Sequence, residues 1–370
     1  MRFFNREVMD EKDSVFYREP SPFTKYTKRQ QLRYCVGAAL YMPATREMIA
    51  QDIIQHKHPS LTTIVIDLED ALGDLQVDVG IQQLEKTLET LYNAIQADEL
   101  MIEHLPLLFV RVRSVAQLQQ IIILLGDRQQ VITGYVLPKF TKENGRAYLE
   151  LIAEQNKLGY TLYAMPILES SDILLKENRI ENLLAVKEIV TEFSDYVLNI
   201  RIGATDFSGL LGVRRTIQHT IYDIHVVRDC LTDIMNVFLR DDPQFIVSGP
   251  VWEYFGQSGD VSNLALQGLL REVELDRLNG LIGKTIIHPT HINGVNAMYV
   301  VSHEDYIDAQ GILLLADGKV GVQKSEYGNK MNEMKPHYIW AQRILMRAET
   351  FGVFNPQYNH THLLQRQVTR

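Results

Sequence analysis

Apolar residues occur along the chain in eight short runs rich in Val, Ile, Leu and Tyr, separated by longer segments of different spacing. Short, nearly continuous apolar runs are typical of strands that are buried on both faces, as in a parallel sheet covered by helices. We therefore predict eight parallel strands. The runs occupy residues 35–43, 63–70, 107–114, 134–140, 161–170, 196–206, 245–252 and 283–289.

The segments between these runs carry apolar residues at spacings of three and four, which is typical of amphipathic helices. Residues 79–95, 114–125 and 223–239 are clear examples. The alternation predicts an α/β fold, and eight such units over about 260 residues match a closed (β/α)8 TIM barrel in number and length. An open, doubly wound sheet is the alternative that the pattern leaves open.

The two ends of the chain depart from this alternation. Residues 1–33 are polar and end in a basic stretch at 24–33, so we expect a polar N-terminal leader that faces solvent. Residues 34–300 form the predicted catalytic barrel. Residues 301–370 change in character, and they predict helices and a short hairpin outside the barrel that serve as a C-terminal lid or oligomerisation segment.

Composition excludes several classes of protein. Hydrophobic residues make up 46% of the 370 residues, which is typical of a globular chain. A net charge of −9 argues against nucleic acid or anionic lipid as a partner. Cys35 and Cys230 are too few for a disulfide framework, and neither a secretory signal nor an apolar run of spanning length is found. We predict a cytoplasmic protein with no membrane partner.

Charged residues follow several predicted strands, at the end where a barrel places its active site. So many charges at one mouth destabilise the fold unless they pair or bind a ligand. Glu169 and Asp206 end neighbouring strands, where two carboxylates are able to share a hard cation such as Mg²⁺; the alternative is that each caps the following helix. The charged residues are Asp67, Glu69, Asp70, Arg111, Arg113, Lys139, Glu169, Asp206 and His288.

Arg111 and Arg113 alternate with valine, so we expect both side chains on the same side of their strand. Two interpretations stay open: a clamp for a substrate carboxylate, or salt bridges with the acidic residues of 67–70. Asp70 has a similar ambiguity, because it is placed either to cap a helix or to lie near the metal without binding it.

Lys139 stands at a strand end, where a Schiff-base aldolase keeps its nucleophile. That chemistry needs a lowered lysine pKa, and nearby carboxylates raise it, so a substrate contact is the preferred role. His288 and His291 do not predict a zinc site, because no third ligand has suitable spacing with them. The glycines of 203–212 form neither a P-loop nor a dinucleotide fingerprint.

In order along the chain stand LYMPATR, TIVIDLEDALGD, LFVRVRS, GYVLPKF, MPILES, IRIGATDFSGLLGVRR and GLIGKTIIHPTHINGVNAMY. This order over residues 35–350 resembles the HpcH/HpaI aldolase and citrate lyase beta-subunit family. The resemblance implies a (β/α)8 barrel that binds Mg²⁺ and makes or breaks carbon–carbon bonds next to a carbonyl, often with coenzyme A thioesters. It implies Glu169 and Asp206 as metal ligands, Arg111 as the arginine that steadies substrate oxygens, and an acidic motif near the metal formed by Asp67, Glu69 and Asp70.

The sequence also departs from that family. LYMPA lacks the glycine of the family's LFVPG, Gly37 stands near the place of a family arginine, and Arg113 replaces a common asparagine. The family's lid aspartate, which acts across a subunit interface, corresponds to Glu333 in GNKMNEMKPH; the alternative for Glu333 is a surface position early in a helix. The chain therefore resembles a divergent branch of the family, like the one found with bacterial tellurite-resistance and stress gene clusters. The departures argue against thioester chemistry. The resemblance implies a homo-oligomer such as a trimer.

Together these features predict a Mg²⁺-dependent carbon–carbon lyase or aldolase for a 2-oxo or hydroxy acid, with Arg111 and Arg113 on the developing enolate and Glu333 exchanging a proton. Two alternatives remain: a Schiff-base aldolase that uses Lys139, and a weakly active barrel that serves as a binding or assembly subunit. The pair of acidic residues argues against the second, because a scaffold has no need to hold like charges together.

Overall fold

The structure is a computed structural model that describes residues 1–4, 15–240, 245–256 and 259–368. Within these residues the chain forms two compact units. The larger consists of residue 1 and residues 23–295, and the smaller of residues 2–22 and 296–370. No helix among the described residues is long and apolar enough to cross a membrane.

Twelve strands are present in the described part of the chain. They are β1 (Phe16–Arg18), β2 (Ala38–Pro43), β3 (Thr63–Asp67), β4 (Leu107–Arg111), β5 (Gly134–Leu137), β6 (Tyr163–Leu168), β7 (Ile200–Ile202), β8 (Val247–Ser248), β9 (Lys284–Ile286), β10 (Val322–Lys324), β11 (Met331–Glu333) and β12 (Val353–Phe354).

Fourteen α-helices accompany them in the same residues. They are α1 (Arg29–Leu32), α2 (Ile49–Ile54), α3 (Val77–Gln96), α4 (Val115–Leu125), α5 (Gly145–Lys157), α6 (Ser171–Leu174), α7 (Arg179–Glu192), α8 (Ala204–Leu210), α9 (His225–Leu239), α10 (Gly259–Leu278), α11 (His291–Tyr299), α12 (His303–Leu314), α13 (Tyr338–Phe351) and α14 (His360–Val368).

The strands β2 to β9 form one parallel sheet in the order β8-β7-β6-β5-β4-β3-β2-β9. Its two ends meet, because Gly249 bridges Lys284 in parallel and the Ile282 amide donates to the Val247 carbonyl at 2.8 Å. The sheet is thus a (β/α)8 barrel, and each of the eight predicted runs contains one of its strands. The open-sheet alternative is wrong because these hydrogen bonds join the edges.

The three predicted helices are confirmed as α3, α4 and α9. In α3 the side chains of Leu84, Leu88 and Leu91 are fully buried, so one apolar stripe packs on the sheet side while polar residues face outward. Ser114 caps α4 by accepting a hydrogen bond from the Gln117 amide at 3.2 Å. Both cysteines are buried.

The basic stretch before β2 faces solvent only in part, because Lys28 is exposed whereas Lys25 and Arg33 are buried. Lys25 is 6% exposed, and its ammonium group donates to the carbonyls of Gln130, at 2.8 Å, and Ile132, while Arg29 Nε donates to the Val197 carbonyl at 3.1 Å. Burial without an acidic partner lowers the pKa of Lys25 to about 8. These residues instead tie the chain before β2 to segments that precede β5 and β7.

The smaller unit contains the helices and the short hairpin predicted beyond residue 300. Helices α12 and α13 share a core that includes Ala309, Ile312 and Ile344. Strands β10 and β11 pair antiparallel as the hairpin, and β1 pairs antiparallel with β12. The N-terminal segment therefore contributes a strand to this second unit.

Candidate active site

A cavity of about 770 Å³ lies at the carboxyl ends of the barrel strands. The register places the end of β3, Asp67, beside the end of β4, Arg111. Since all eight strands are parallel, their carboxyl ends meet at one mouth, which is why charged residues distant in sequence come together. The charged side chains that line it are Asp67, Asp70, Arg111, Glu169, Arg201 and Asp206.

Glu169 follows β6 and is 3% exposed. Its Oε1 accepts a hydrogen bond from the Lys139 amide at 2.8 Å, whereas the helix after β6 has Ser170 at its N-cap position, so Glu169 is not a helix cap. Gly203 permits this packing, because a Cβ there would lie 2.2 Å from Glu169 Oε2. The backbone at the end of β7 thus lies directly against the Glu169 carboxyl group.

Asp206 lies in the first turn of α8, with Gly203 at the N-cap position. Burial, and next the charge of Asp206, raise the pKa of Glu169 to about 8. Burial, and next the charge of Asp70, raise the pKa of Asp206. Each carboxyl group therefore holds its proton more tightly than usual, because burial disfavours its charged form and a neighbouring carboxylate repels that form.

This pair of carboxyl groups fits a hard divalent cation, because a cation at the mouth would offset both the burial of the two charges and their repulsion by neighbouring carboxylates. Among the described residues, no group of three or more His, Cys, Asp or Glu side chains is arranged to hold a metal ion. A cation here would take only two protein carboxylates and fill its remaining positions with water or substrate oxygens.

Arg111 is held by the acidic residues that follow β3. Its Nε and Nη2 bind the two Asp67 carboxylate oxygens at 2.7 and 2.6 Å, and its Nη1 lies 2.9 Å from Glu69 and 3.2 Å from Asp70. Although burial opposes it, the Asp67 hydrogen bonds raise the pKa of Arg111 above its ordinary value. The salt bridges considered for Arg111 are therefore present, and they occupy most of its N–H groups.

Arg113 has a different environment from Arg111. Strand β4 ends at Arg111, so strand alternation no longer governs Arg113. Its guanidinium donates to the carbonyls of Leu68 and Leu72 and to Asp74, at 2.7–2.9 Å. In the described part of the chain Arg113 is not among the cavity-lining residues, and its contacts hold the loop that carries the acidic residues.

Lys139 follows β5 with φ of +46°, a backbone conformation uncommon for residues other than glycine. Its amide reaches Glu169 from this conformation, and its ammonium group pairs with Glu69. Although partial burial opposes it, the hydrogen bond to Glu69 raises the pKa of Lys139. A raised pKa disfavours the neutral amine that a Schiff base requires.

The two histidines considered for zinc have other contacts. The His288 ring stacks on Phe255 with centroids 4.5 Å apart, and Nε2 of His291 lies 3.1 Å from the Tyr254 carbonyl oxygen. Burial lowers the pKa of His291 to about 4, so this ring is neutral at pH 7. These contacts give both rings structural roles next to the end of the barrel.

Glu333 lies in β11, in the smaller unit, and its side chain is exposed. Helix α13 begins five residues later at Tyr338, so the alternative of an early helix position is wrong. The hairpin is anchored to α12, because Lys330 Nζ lies 2.9 Å from carboxylate oxygens of both Glu304 and Asp308.

Arg201 on β7 lines the cavity but was not among the predicted site residues. It is 1% exposed, and its Nη2 donates to Thr285 Oγ1 at 2.6 Å. The signal that identifies it in the sequence is a lone arginine inside an otherwise apolar strand, because such a charge is seldom buried without a purpose.

Comparisons with known proteins agree with this architecture. A crystal structure of CitE from Mycobacterium tuberculosis in complex with magnesium, acetoacetate and coenzyme A is similar at 17% identity and a TM-score of 0.54, over 85% of this chain and 99% of that one. A citrate lyase from Burkholderia xenovorans LB400 is similar at 16% identity and a TM-score of 0.57, over 89% and 95%. At such identities the likeness concerns the fold. No curated protein matches the chain.

A family model provides the stronger relationship. The model described as C-C_Bond_Lyase of the TIM-Barrel fold matches residues 30–353, which include all eight barrel strands and most of the second unit. The chain therefore belongs to this family of carbon–carbon bond lyases with a TIM-barrel fold.

Proposed function

We propose that this protein is a Mg²⁺-dependent carbon–carbon bond lyase or aldolase that acts on a 2-oxo acid or a hydroxy acid. The observation that carries the proposal is the pair formed by Glu169 and Asp206, two carboxyl groups with raised pKa values in one cavity at the barrel mouth. The family match supports the type of reaction, and the magnesium of the M. tuberculosis CitE complex supports the choice of cation.

Glu169 and Asp206 would hold the cation by their carboxylate oxygens, with Glu169 oriented by the Lys139 amide. When bound, Mg²⁺ supplies a Lewis acid that polarises a substrate carbonyl next to the bond that breaks. Asp70 lines the same cavity and adds negative charge beside Asp206, which favours cation binding there.

The positive charge of Arg111 stabilises the negative charge that develops on the fragment that becomes an enolate. Such electrostatic stabilisation is usually a large part of catalysis. Its guanidinium is fixed by Asp67 on one side and lies 5.2 Å from the centre of the Tyr41 ring on the other. This fixed position avoids reorganisation during the reaction. Arg113 acts indirectly, by holding the loop after β3, and Lys139 positions Glu69 and Glu169.

Glu333 is the proposed proton donor or acceptor, acting in a homo-oligomer from the hairpin of a neighbouring subunit. Its exposed side chain on an anchored hairpin supports this role. Coenzyme A thioesters are a second substrate class, supported by the coenzyme A in the CitE complex. Mixing inactive Glu333→Gln with inactive Glu169→Gln should restore part of the activity by subunit exchange, and a monomeric molar mass in solution would reject the shared site.

The test of the proposed function is proton exchange, because enolate formation is measurable without knowing the second substrate. In D₂O with Mg²⁺, the protein should exchange the protons on the carbon next to the carbonyl, as followed by proton NMR. These are the methyl protons of pyruvate and acetyl coenzyme A and the methylene protons of 2-oxobutyrate. Glu169→Gln and Asp206→Asn should abolish the exchange. Glu154→Gln, a change of an exposed glutamate on α5, is the matched control and should retain it.

Three outcomes would contradict the proposal. If exchange persists in EDTA, and if borohydride in a separate experiment traps an adduct on Lys139, the Schiff-base aldolase is favoured. Exchange that survives in both carboxylate variants would reject their role as ligands. No exchange with any of the three probes, together with no Mg²⁺ binding at millimolar concentration, would favour a binding or assembly subunit.

A further inference from the structure

A second cavity of about 290 Å³, which we call the side cavity, lies next to the cavity at the barrel mouth. It is formed by α8, by the segment that follows α8 and by the loop that follows β8. The apolar side chains in its walls are Ala204, Val213, Ile221 and Val251. The hydroxyl group of Ser208 is occupied, because it donates to the Ala204 carbonyl at 2.8 Å. The surface of the side cavity is therefore mainly apolar.

The charged side chains at the side cavity are already paired. Arg215 binds Glu272 and lies 3.2 Å from Glu253, and its Nη2 also donates to the Val251 carbonyl. Arg214 lies 3.7 Å from Glu253, with most of its side chain in solvent. A charged ligand would have to compete with these pairs, whereas a neutral apolar ligand leaves them intact. The walls thus favour a neutral apolar group.

The side cavity adjoins the proposed active site, because Thr205, Gly209 and Val251 line both cavities. Asp206 precedes Gly209 by three residues on α8, which is about 4.5 Å along the helix axis. A Cβ on Gly209 would have no described atom within 4 Å, apart from the backbone of its own helix and its chain neighbours. No side chain therefore closes the boundary at Gly209, and a molecule bound at Asp206 is able to extend into the side cavity.

The size of the side cavity narrows the kind of group that fits. An apolar cavity of about 150 Å³ is large enough to hold a benzene molecule. The side cavity is larger than this, so it has room for a phenyl ring or a branched alkyl chain.

We propose that the side cavity binds a neutral aryl or branched alkyl group of the substrate, carried by the fragment that leaves as an aldehyde. This inference rests on the proposed function, because the 2-oxo acid end is assigned to Glu169 and Asp206. In the cleavage of such a 4-hydroxy-2-oxo acid, the bond between the third and fourth carbons breaks. The hydroxyl on the fourth carbon loses its proton as that carbon becomes the aldehyde. The electron pair of the broken bond forms the enolate of pyruvate, which then takes up a proton at its third carbon.

The experiment compares cleavage of 4-hydroxy-2-oxo-5-phenylpentanoate and of 4-hydroxy-2-oxopentanoate in Mg²⁺, measured by the release of pyruvate. The two acids differ only in a phenyl group, carried three carbons beyond the keto carbon. In the wild type, kcat/KM should be about fivefold or more higher for the phenyl acid, because the ring is buried in the side cavity. Gly209→Leu should lower this ratio to less than about twofold, because the added side chain fills the boundary between the cavities.

Gly311→Leu is the matched control. Gly311 is also a helical glycine whose Cβ position is unobstructed by the described residues, and it lies on α12 in the smaller unit. This variant should keep the wild-type ratio. If Gly209→Leu fails to fold or cleaves neither acid, Ser208→Leu replaces it, because Ser208 lines the side cavity and is not among the described residues that line the barrel mouth. The same fall in the ratio is expected there.

The outcomes separate this inference from the proposed function. A wild-type ratio below about fivefold, or no cleavage of either acid, would overturn the inference; if Mg²⁺-dependent exchange of pyruvate protons is still observed, the proposed function stands. An unchanged ratio in both Gly209→Leu and Ser208→Leu would also overturn the inference. If the wild type neither exchanges protons of any probe nor cleaves either acid, the proposed function fails and the inference with it.

Discussion

Replacing Glu169 by glutamine should raise stability in the absence of Mg²⁺ and should remove the stabilisation that Mg²⁺ gives to the wild type. Burial and Asp206 raise the pKa of Glu169 from 4.5 to about 8. Between pH 4.5 and 8 the folded state therefore keeps a proton that the unfolded state releases, so wild-type stability falls as the pH rises through this window. The full shift corresponds to about 5 kcal/mol.

Glutamine has no such proton, and its side-chain carbonyl is still able to accept the Lys139 hydrogen bond. Without Mg²⁺, Glu169→Gln should therefore gain up to about 5 kcal/mol relative to wild type between pH 5 and pH 9. With Mg²⁺ at a hundred times its dissociation constant, the wild type should gain about 2.7 kcal/mol that the variant does not gain.

Urea unfolding at pH 5 to 9, in EDTA and in Mg²⁺, measures both effects. All of these proteins carry the Trp340→Phe substitution, so that Trp252, which is buried in the barrel unit, serves as the fluorescent probe. The exposed control Glu154→Gln should follow the wild type throughout. Parallel pH profiles of wild type and Glu169→Gln in EDTA would refute the assignment of a buried, protonated acid. Equal Mg²⁺ stabilisation of both would show that Glu169 is not a ligand.

Arg111→Lys should lower stability by about 3 kcal/mol, because Asp67 loses its bidentate partner, whereas Arg113→Asn should lower it by less than about 1 kcal/mol. Thermal melting measures both losses, and a larger loss in Arg113→Asn than in Arg111→Lys would contradict this. Borohydride with pyruvate should leave the mass of the protein unchanged, and an adduct on Lys139 would contradict the raised pKa there. Burial lowers the pKa of His291 to about 4, so the stability of the wild type should fall by about 3 kcal/mol as the pH drops from 6.5 through 4. The stability of His291→Gln should fall less over this range, and identical pH profiles of stability for the two proteins would disprove the reasoning.

The barrel follows from the sequence because its strands are buried on both faces and therefore appear as continuous apolar runs. The positions of Asp67, Arg111, Glu169 and Asp206 at one mouth follow as well, since parallel strands bring their carboxyl ends together. Their roles as metal ligands and substrate contacts remain predictions that the experiments above test.

Other features were beyond sequence reasoning. A basic stretch usually faces water, and only tertiary packing brings Lys25 against backbone carbonyls. The side that Arg113 takes depends on where β4 ends, which alternation does not reveal. Arg201 lies inside an apolar run, and such a run predicts a strand without revealing which of its residues points into the barrel.

A crystal structure of the protein with Mg²⁺ and pyruvate tests the central claim most directly. The account predicts one metal ion held by the carboxylates of Glu169 and Asp206, with the carboxylate and keto oxygens of pyruvate and water molecules in its remaining positions. Pyruvate bound to Lys139 as a covalent adduct, or bound in the cavity with no metal ion at Glu169 and Asp206, would contradict it.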